Sequence, residues 1–165
     1  MRPSLEPGAD GGLENGPERL ELTHLSIGEL FVIWAFRTRL AHGPDGPVAG
    51  FRLAFGLSGV ERALASFEGL FGVLQRHCRS DIWLHGPGCP CVSLDELTLA
   101  GVVAALQAGA PLHAHAIAAR LVHAGALDGF LDHVRSLAVS LKQERLHLPV
   151  RCLPAGGSGQ PPSLH

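Results

Sequence analysis

The sequence predicts an all-α fold, a single-domain bundle of five or six helices, and three observations carry that expectation. Serine stands three residues ahead of glutamate in Ser26-Ile27-Gly28-Glu29, Ser58-Gly59-Val60-Glu61 and Ser93-Leu94-Asp95-Glu96. Each matches the capping box, in which the serine hydroxyl accepts from the third helical NH and the glutamate reaches back to the serine NH. Downstream, Leu127, Phe130, Leu131, Val134, Leu137, Ala138 and Leu141 recur at helical spacing, with Asp128, Asp132, Arg135 and Glu144 opposite. No convincing strand competes: only Ile82-Trp83-Leu84 reads as a short extended piece, before the Gly86-Pro87-Gly88 turn.

A chain of 165 residues suits one domain. Residues 1–20 and 149–165 are dominated by Gly, Pro, Ser and Glu without apolar periodicity. Both are expected to be disordered tails around a helical domain spanning 21–148. The first helix, from about Ile27 to Ala41, is expected to bury Ile27, Leu30, Phe31 and Trp34. Val32, Ile33 and Phe36 make its other side apolar too, so it is central or lies at a subunit contact. The loop Gly43-Pro44-Asp45-Gly46-Pro47 ends it, and Val48 to Leu57 is ambiguous, with a short helix as one reading. After Ser58, the spacing of Val60, Leu64, Phe67, Phe71 and Leu74 forms a coiled-coil-like seam. Gly69 and Gly72 weaken it by about 1 kcal/mol each relative to alanine and leave space for a close neighbour.

The Ser93 helix is expected to run to about Ala108. A fifth begins with Pro111 in its first turn and is expected to end at Gly125, in the left-handed position after a helix. Ala114, Ala118 and Ala119 allow it to pack tightly. The last helix spans about Leu127 to Leu146.

Composition narrows the function classes. A hydrophobic fraction of 46% with 17% charged residues excludes wholesale disorder, and a formal net charge of −2 gives no general attraction to nucleic acid or an anionic membrane. The uncharged stretch from Leu97 to Ala119 is long enough to raise the question of a membrane span. Gln107, the Gly109-Ala110-Pro111 break, His113 and His115 divide it into two short buried helices instead. The start lacks the apolar core of a secretory signal, so a cytoplasmic location is expected, where thiols stay reduced.

Against that background the run His77-Cys78-Arg79-Ser80-Asp81-Ile82-Trp83-Leu84-His85-Gly86-Pro87-Gly88-Cys89-Pro90-Cys91 concentrates soft ligands. Cys89 and Cys91 lie just ahead of the Ser93 helix, where unpaired NH groups and the macrodipole favour a thiolate. Cys78 ends the preceding helix, His85 stands four residues before Cys89, and Gly86 and Gly88 permit sharp turns. Cys78, His85, Cys89 and Cys91 would supply three thiolates and one imidazole to zinc, or ligands to an iron-sulfur cluster. Two alternatives stand beside this: reversible oxidation of the same thiols, and a purely structural turn with Cys78 buried.

The fragment His85-Gly86-Pro87-Gly88-Cys89-Pro90 resembles a segment of the iron-sulfur proteins that mature nickel-iron hydrogenases, in which similar cysteines help to assemble the iron-cyanide unit. The likeness covers six residues, and that family's next cysteine follows three positions after the first, whereas Cys91 follows Cys89 at two. It implies that such a turn can present thiolates, and no activity is carried over.

Catalytic signatures are missing: there is no nucleophile elbow, Walker loop, dinucleotide fingerprint or His-Glu-x-x-His. The helix pair around Ala108-Gly109-Ala110-Pro111 is a poor DNA reader, since Arg120 is the sole charge of its second helix. His113 and His115 point to different sides of that helix, and Cys152 reads as a free thiol. Two functional expectations follow. One is a small metal-binding or thiol-redox accessory protein using the cysteine cluster. The other is a cofactor-free helical interaction module, a homodimer or an adaptor, working through the first helix and the Val60 to Leu74 seam.

Overall fold

Two of the three capping boxes start helices as expected. The structure, a computed structural model, describes residues 2–3 and 20–152. Ser26 caps α1 (Ile27–His42) and Ser93 caps α3 (Leu94–Gln107); in both, the serine accepts from the glutamate NH while the glutamate carboxylate accepts from the serine NH. Between them runs α2 (Val48–His77), and after them α4 (Pro111–Leu121) and α5 (Leu127–Gln143). Trp83–Leu84 (β2) pairs in parallel with Arg2–Pro3 (β1), in register Arg2 with Trp83 and Pro3 with Leu84. The architecture is an all-α bundle. The expected tails over 4–19 and 153–165 fall outside the described residues.

The second box does not act as a cap. Gly56 breaks α2 at φ 60° and ψ −168°, so the ambiguous stretch is helical over 48–55 and a second limb runs over 57–77. A positive φ is open to glycine without a Cβ clash, which sets the break two residues ahead of Ser58. The end of α4 also differs from expectation. Val122 is extended and forms an antiparallel bridge with Cys78, with His123 N donating to His77 O at 3.0 Å. That pairing stops the helix, and Gly125 sits in a short 3-10 turn rather than in a left-handed position.

At its C-terminus α5 closes in a Schellman motif: Leu146 N donates to Leu141 O at 2.9 Å and Arg145 N to Lys142 O at 3.1 Å. The left-handed residue is Arg145, at φ 60°. For a residue with a Cβ this conformation costs about 1–2 kcal/mol.

Packing follows the sequence pattern most closely on α5, whose predicted apolar stripe is buried throughout against α2, α3 and α4. Buried Ala100, Ala104, Ala105, Ala114 and Ala118 keep α3 and α4 close. Phenylalanine separates α1 from α2. Phe36 meets Phe67 at 5.2 Å between ring centroids, and Phe31 meets Phe51 at 5.1 Å. Such tilted and edge-on pairs contribute about 0.5–1.5 kcal/mol each beyond area burial. Phe67, Phe71 and Leu74 of the expected seam are buried inside the chain's own core. Gly69 does admit a close neighbour, the His133 ring of α5.

The burial of α1 is the reverse of expectation. Val32, Ile33, Ala35 and Phe36 face the core, whereas Ile27 is 75% exposed and Phe31 and Trp34 are half-buried. That face packs Phe36 against Phe67 and Phe71, and it can also bury Glu29 and Arg37, each 2% exposed, because both are paired with opposite charges.

Beyond α5 the chain lies across the start of α1 as a strap. Gln107 holds it by accepting from Leu148 N at 2.8 Å and donating to Leu146 O at 2.9 Å, while the His147 carbonyl sits against Gly28. Arg151 closes the latch by donating to both carboxylate oxygens of Glu29 and to the carbonyl of His24. Among the described residues no helix is long and apolar enough to cross a membrane.

Burial raises the Glu29 carboxyl's pKa, but hydrogen bonds from Arg151 and Ser26, with the Arg151 charge, outweigh it and hold the group below the usual carboxylate range. A depressed folded pKa contributes stability above the unfolded value, and that stability is lost as pH falls through the folded value. Glu29→Gln is therefore expected to cost about 1.5–3 kcal/mol at neutral pH. The gap from the parent protein should shrink steadily as pH falls from about 4.3, read as urea midpoints across the acid range. A gap unchanged down to strong acid would count against the latch.

Candidate functional site

Two regions compete as the site, the cysteine turn and an apolar groove. The turn is organised by one arginine. Arg37, alone in charge on the inner face of the middle of α1, reaches Glu96 through Nε at 2.7 Å and through Nη2 at 2.9 Å. Its remaining donors go to the carbonyls of Cys89 and Cys91, both at 2.6 Å, and of Gly86 at 3.4 Å. Glu96 in turn accepts from the NH of His85 and of Ser93. The side chains of this pair are 2% and 0% exposed. Such a pair is tolerable in a core only when every donor and acceptor is used, which is the arrangement seen here.

The predicted ligands are thereby divided. Cys78 is at the end of α2, bridged to Val122 and packed on the core. Cys89 and Cys91 are gripped through their backbones, and segment 20–22 closes over them: Leu22 N donates to Pro90 O and Val92 N to Leu20 O. His85 and Cys91 line one cavity of about 350 Å3 with Leu20 and Val92. Among the described residues no group of three or more His, Cys, Asp or Glu side chains is placed to hold a metal ion. The structure brings His85 and Cys91 to one cavity and leaves Cys78 at the α2–Val122 bridge. Cys152, an exposed free cysteine, borders a cleft of about 560 Å3 with His113, Ile117 and Arg120.

The second region was only half legible. Ile27, Phe31 and Trp34, at steps of four and three, form one stripe of α1 that the first limb of α2 leaves open. Gly50, Leu53 and Ala54 of that limb line it too, with Leu146, giving a groove of about 370 Å3 lined by apolar groups. Gly50 is required here, because the Trp34 indole lies where its Cβ would be. Leu53 and Leu57, on either side of the Gly56 break, are 89% and 96% exposed. Solitary exposed leucines are ordinary, but a contiguous apolar patch carries information.

Arg37 was missed by sequence reasoning: it follows the apolar run Leu30 to Phe36 with Arg39 two residues on, and nothing local tells which of the two arginines is buried. Leu53 and Leu57 were missed because they fall in the stretch whose structure was ambiguous. Comparison of the chain with known protein families, with curated protein sequences and with solved structures finds no match.

The turn therefore predicts an asymmetry between charge and sulfur. Arg37→Met should cost about 3–5 kcal/mol, because it strands the Glu96 carboxylate in the core. Cys89→Ser should stay within about 1 kcal/mol, since the carbonyl and not the sulfur is held. Guanidinium titration of both variants, with metal analysis of protein purified without oxygen, checks this. A stoichiometric metal lost on Cys89→Ser would reverse the assignment.

Proposed function

We propose that this chain is a helical protein–protein interaction module that docks a partner protein in the groove between α1 and the first limb of α2. One observation carries the reading: a groove lined by apolar groups, among them Phe31, Trp34 and Leu53, the last of which is 89% exposed. Aromatic anchors in an apolar pocket are the residues on which binding energy concentrates. Leu53 and Leu57 do little for the fold, because side chains so exposed lose almost no contact on removal. Their chemistry fits a surface that is covered in use. The Val60 to Leu74 seam takes no part, being spent on the chain's own core.

The cysteine turn supports this reading indirectly. By tying α1 to the start of α3, Arg37 fixes the helix that supplies the groove floor. Zinc or iron-sulfur binding at Cys78, His85, Cys89 and Cys91 has weaker support, namely His85 and Cys91 on one cavity.

The accessible groove should bind the dye anilinonaphthalene sulfonate in the native protein, with a fluorescence rise that Leu53→Asp abolishes. The same substitution should shift stability by no more than about 0.5 kcal/mol. Native protein that leaves the dye dark, or a dye signal indifferent to Leu53→Asp, would remove the groove as a docking surface.

A further inference from the structure

The cleft between α4 and the strap has a chemistry of its own. His113, Ile117 and Arg120 line it from α4, and Val150, Arg151 and Cys152 from the strap, around a space of about 560 Å3. That volume lies within the range of about 300–1,000 Å3 usual for small-molecule sites. Steps of four and three put His113, Ile117 and Arg120 on one face of α4, a line of about 10 Å. The cleft and the apolar groove share no lining residue.

Charge in this cleft has one sign. Among the described residues no carboxylate lines it. Arg151 is already matched: its Nε and Nη2 donate to the Glu29 carboxylate, and Nη2 donates also to the His24 carbonyl. Arg120 has no such match. It is exposed, and its guanidinium has no hydrogen bond or ion pair with another described residue. The chain around both walls supplies no acid either, since residues 97–127 and 145–165 contain neither Asp nor Glu. Beside this charge lie apolar groups, Ile117 at 7% exposure and Val150 at 53%. An unmatched cation at one end of an apolar line is the complement of an amphiphilic anion.

We propose that the cleft binds a small straight-chain anion, with Arg120 holding its carboxylate or phosphate head and Ile117 and Val150 holding its chain. A guanidinium presents paired donors in a planar fork that match either head. Octanoate, about as long as the α4 face, is a fitting probe. Because one wall is α4 and the other the strap, a bound anion ties the strap to α4 as Arg151 ties it to α1. The site is separate from the docking groove and does not depend on it.

The test gives the full chain octanoate, octyl phosphate, octanol or acetate, with the amphiphiles kept below micelle formation. Binding is read by calorimetric titration, and its place by the rate at which iodoacetamide alkylates each cysteine, resolved by peptide mass spectrometry. Octanoate or octyl phosphate is expected to bind at least about tenfold more tightly than octanol, which lacks the charge, and than acetate, which lacks the chain. Whichever of the two anions binds more tightly names the head group. The bound anion should slow alkylation of Cys152, which borders the cleft, and leave Cys89 unaffected. Arg120→Gln should bring the anion down to the affinity of octanol with the melting temperature unchanged, and Val150→Asp should weaken anion and alcohol alike. Octanol that matches the anions, or anion binding indifferent to Arg120→Gln, would overturn the inference. So would binding that leaves Cys152 alkylation untouched, because the anion would then sit elsewhere, and so would no binding of either anion.

Discussion

A single buried ion pair, Arg37 with Glu96, sets the arrangement of half the molecule. The pair joins the middle of α1 to the first turn of α3, and the spare donors of the guanidinium gather three carbonyls of the intervening turn. Without it, Glu96 would be a bare carboxylate in the core and the carbonyls of Gly86, Cys89 and Cys91 would lose their shared donor. Planar, always charged and rich in donors, arginine is the side chain able to satisfy a carboxylate and several carbonyls together. Lysine would offer a point charge with three donors and no fork. The same device appears at the start of α1, where Arg151 binds Glu29. In both places a capping-box glutamate first fixes its own helix start and then receives an arginine from far along the chain.

Local chemistry accounts for what could be read in the amino acids. The Ser26 and Ser93 caps, the Pro111 start and the α5 stripe are decisions made within a few residues, and each element appears where those residues place it. Ser58 shows the limit of that logic, because the same four-residue pattern goes unused when a glycine two positions earlier takes a positive φ. The inward face of α1 could not be read locally at all. Both of its sides are apolar, and the buried one also carries Arg37 and Glu29, whose partners lie 59 and 122 residues away.

The candidate site shows the same division. A cluster of cysteines is conspicuous in a sequence because ligand types can be counted, yet sulfur atoms converge only if the backbone turns them toward one point. Here the backbone is turned by carbonyl contacts to Arg37, and the side-chain positions follow from that. The groove left no such mark. It involves a missing side chain at Gly50 and a large one at Trp34, two positions whose joint effect is visible only once the helices are placed.

The strap has a consequence for the order in which the molecule is built. Helices α3, α4 and α5 assemble from neighbours in the chain, whereas α1 is fastened to Arg151 across almost the whole described length. Closing so long a loop carries an entropic cost that local contacts do not bear. Leu146, which lines the groove, is held instead by the turn that ends α5 and by Gln107. During synthesis the stripe Ile27, Phe31 and Trp34 emerges more than a hundred residues before Leu146, and until then the groove lacks that part of its lining.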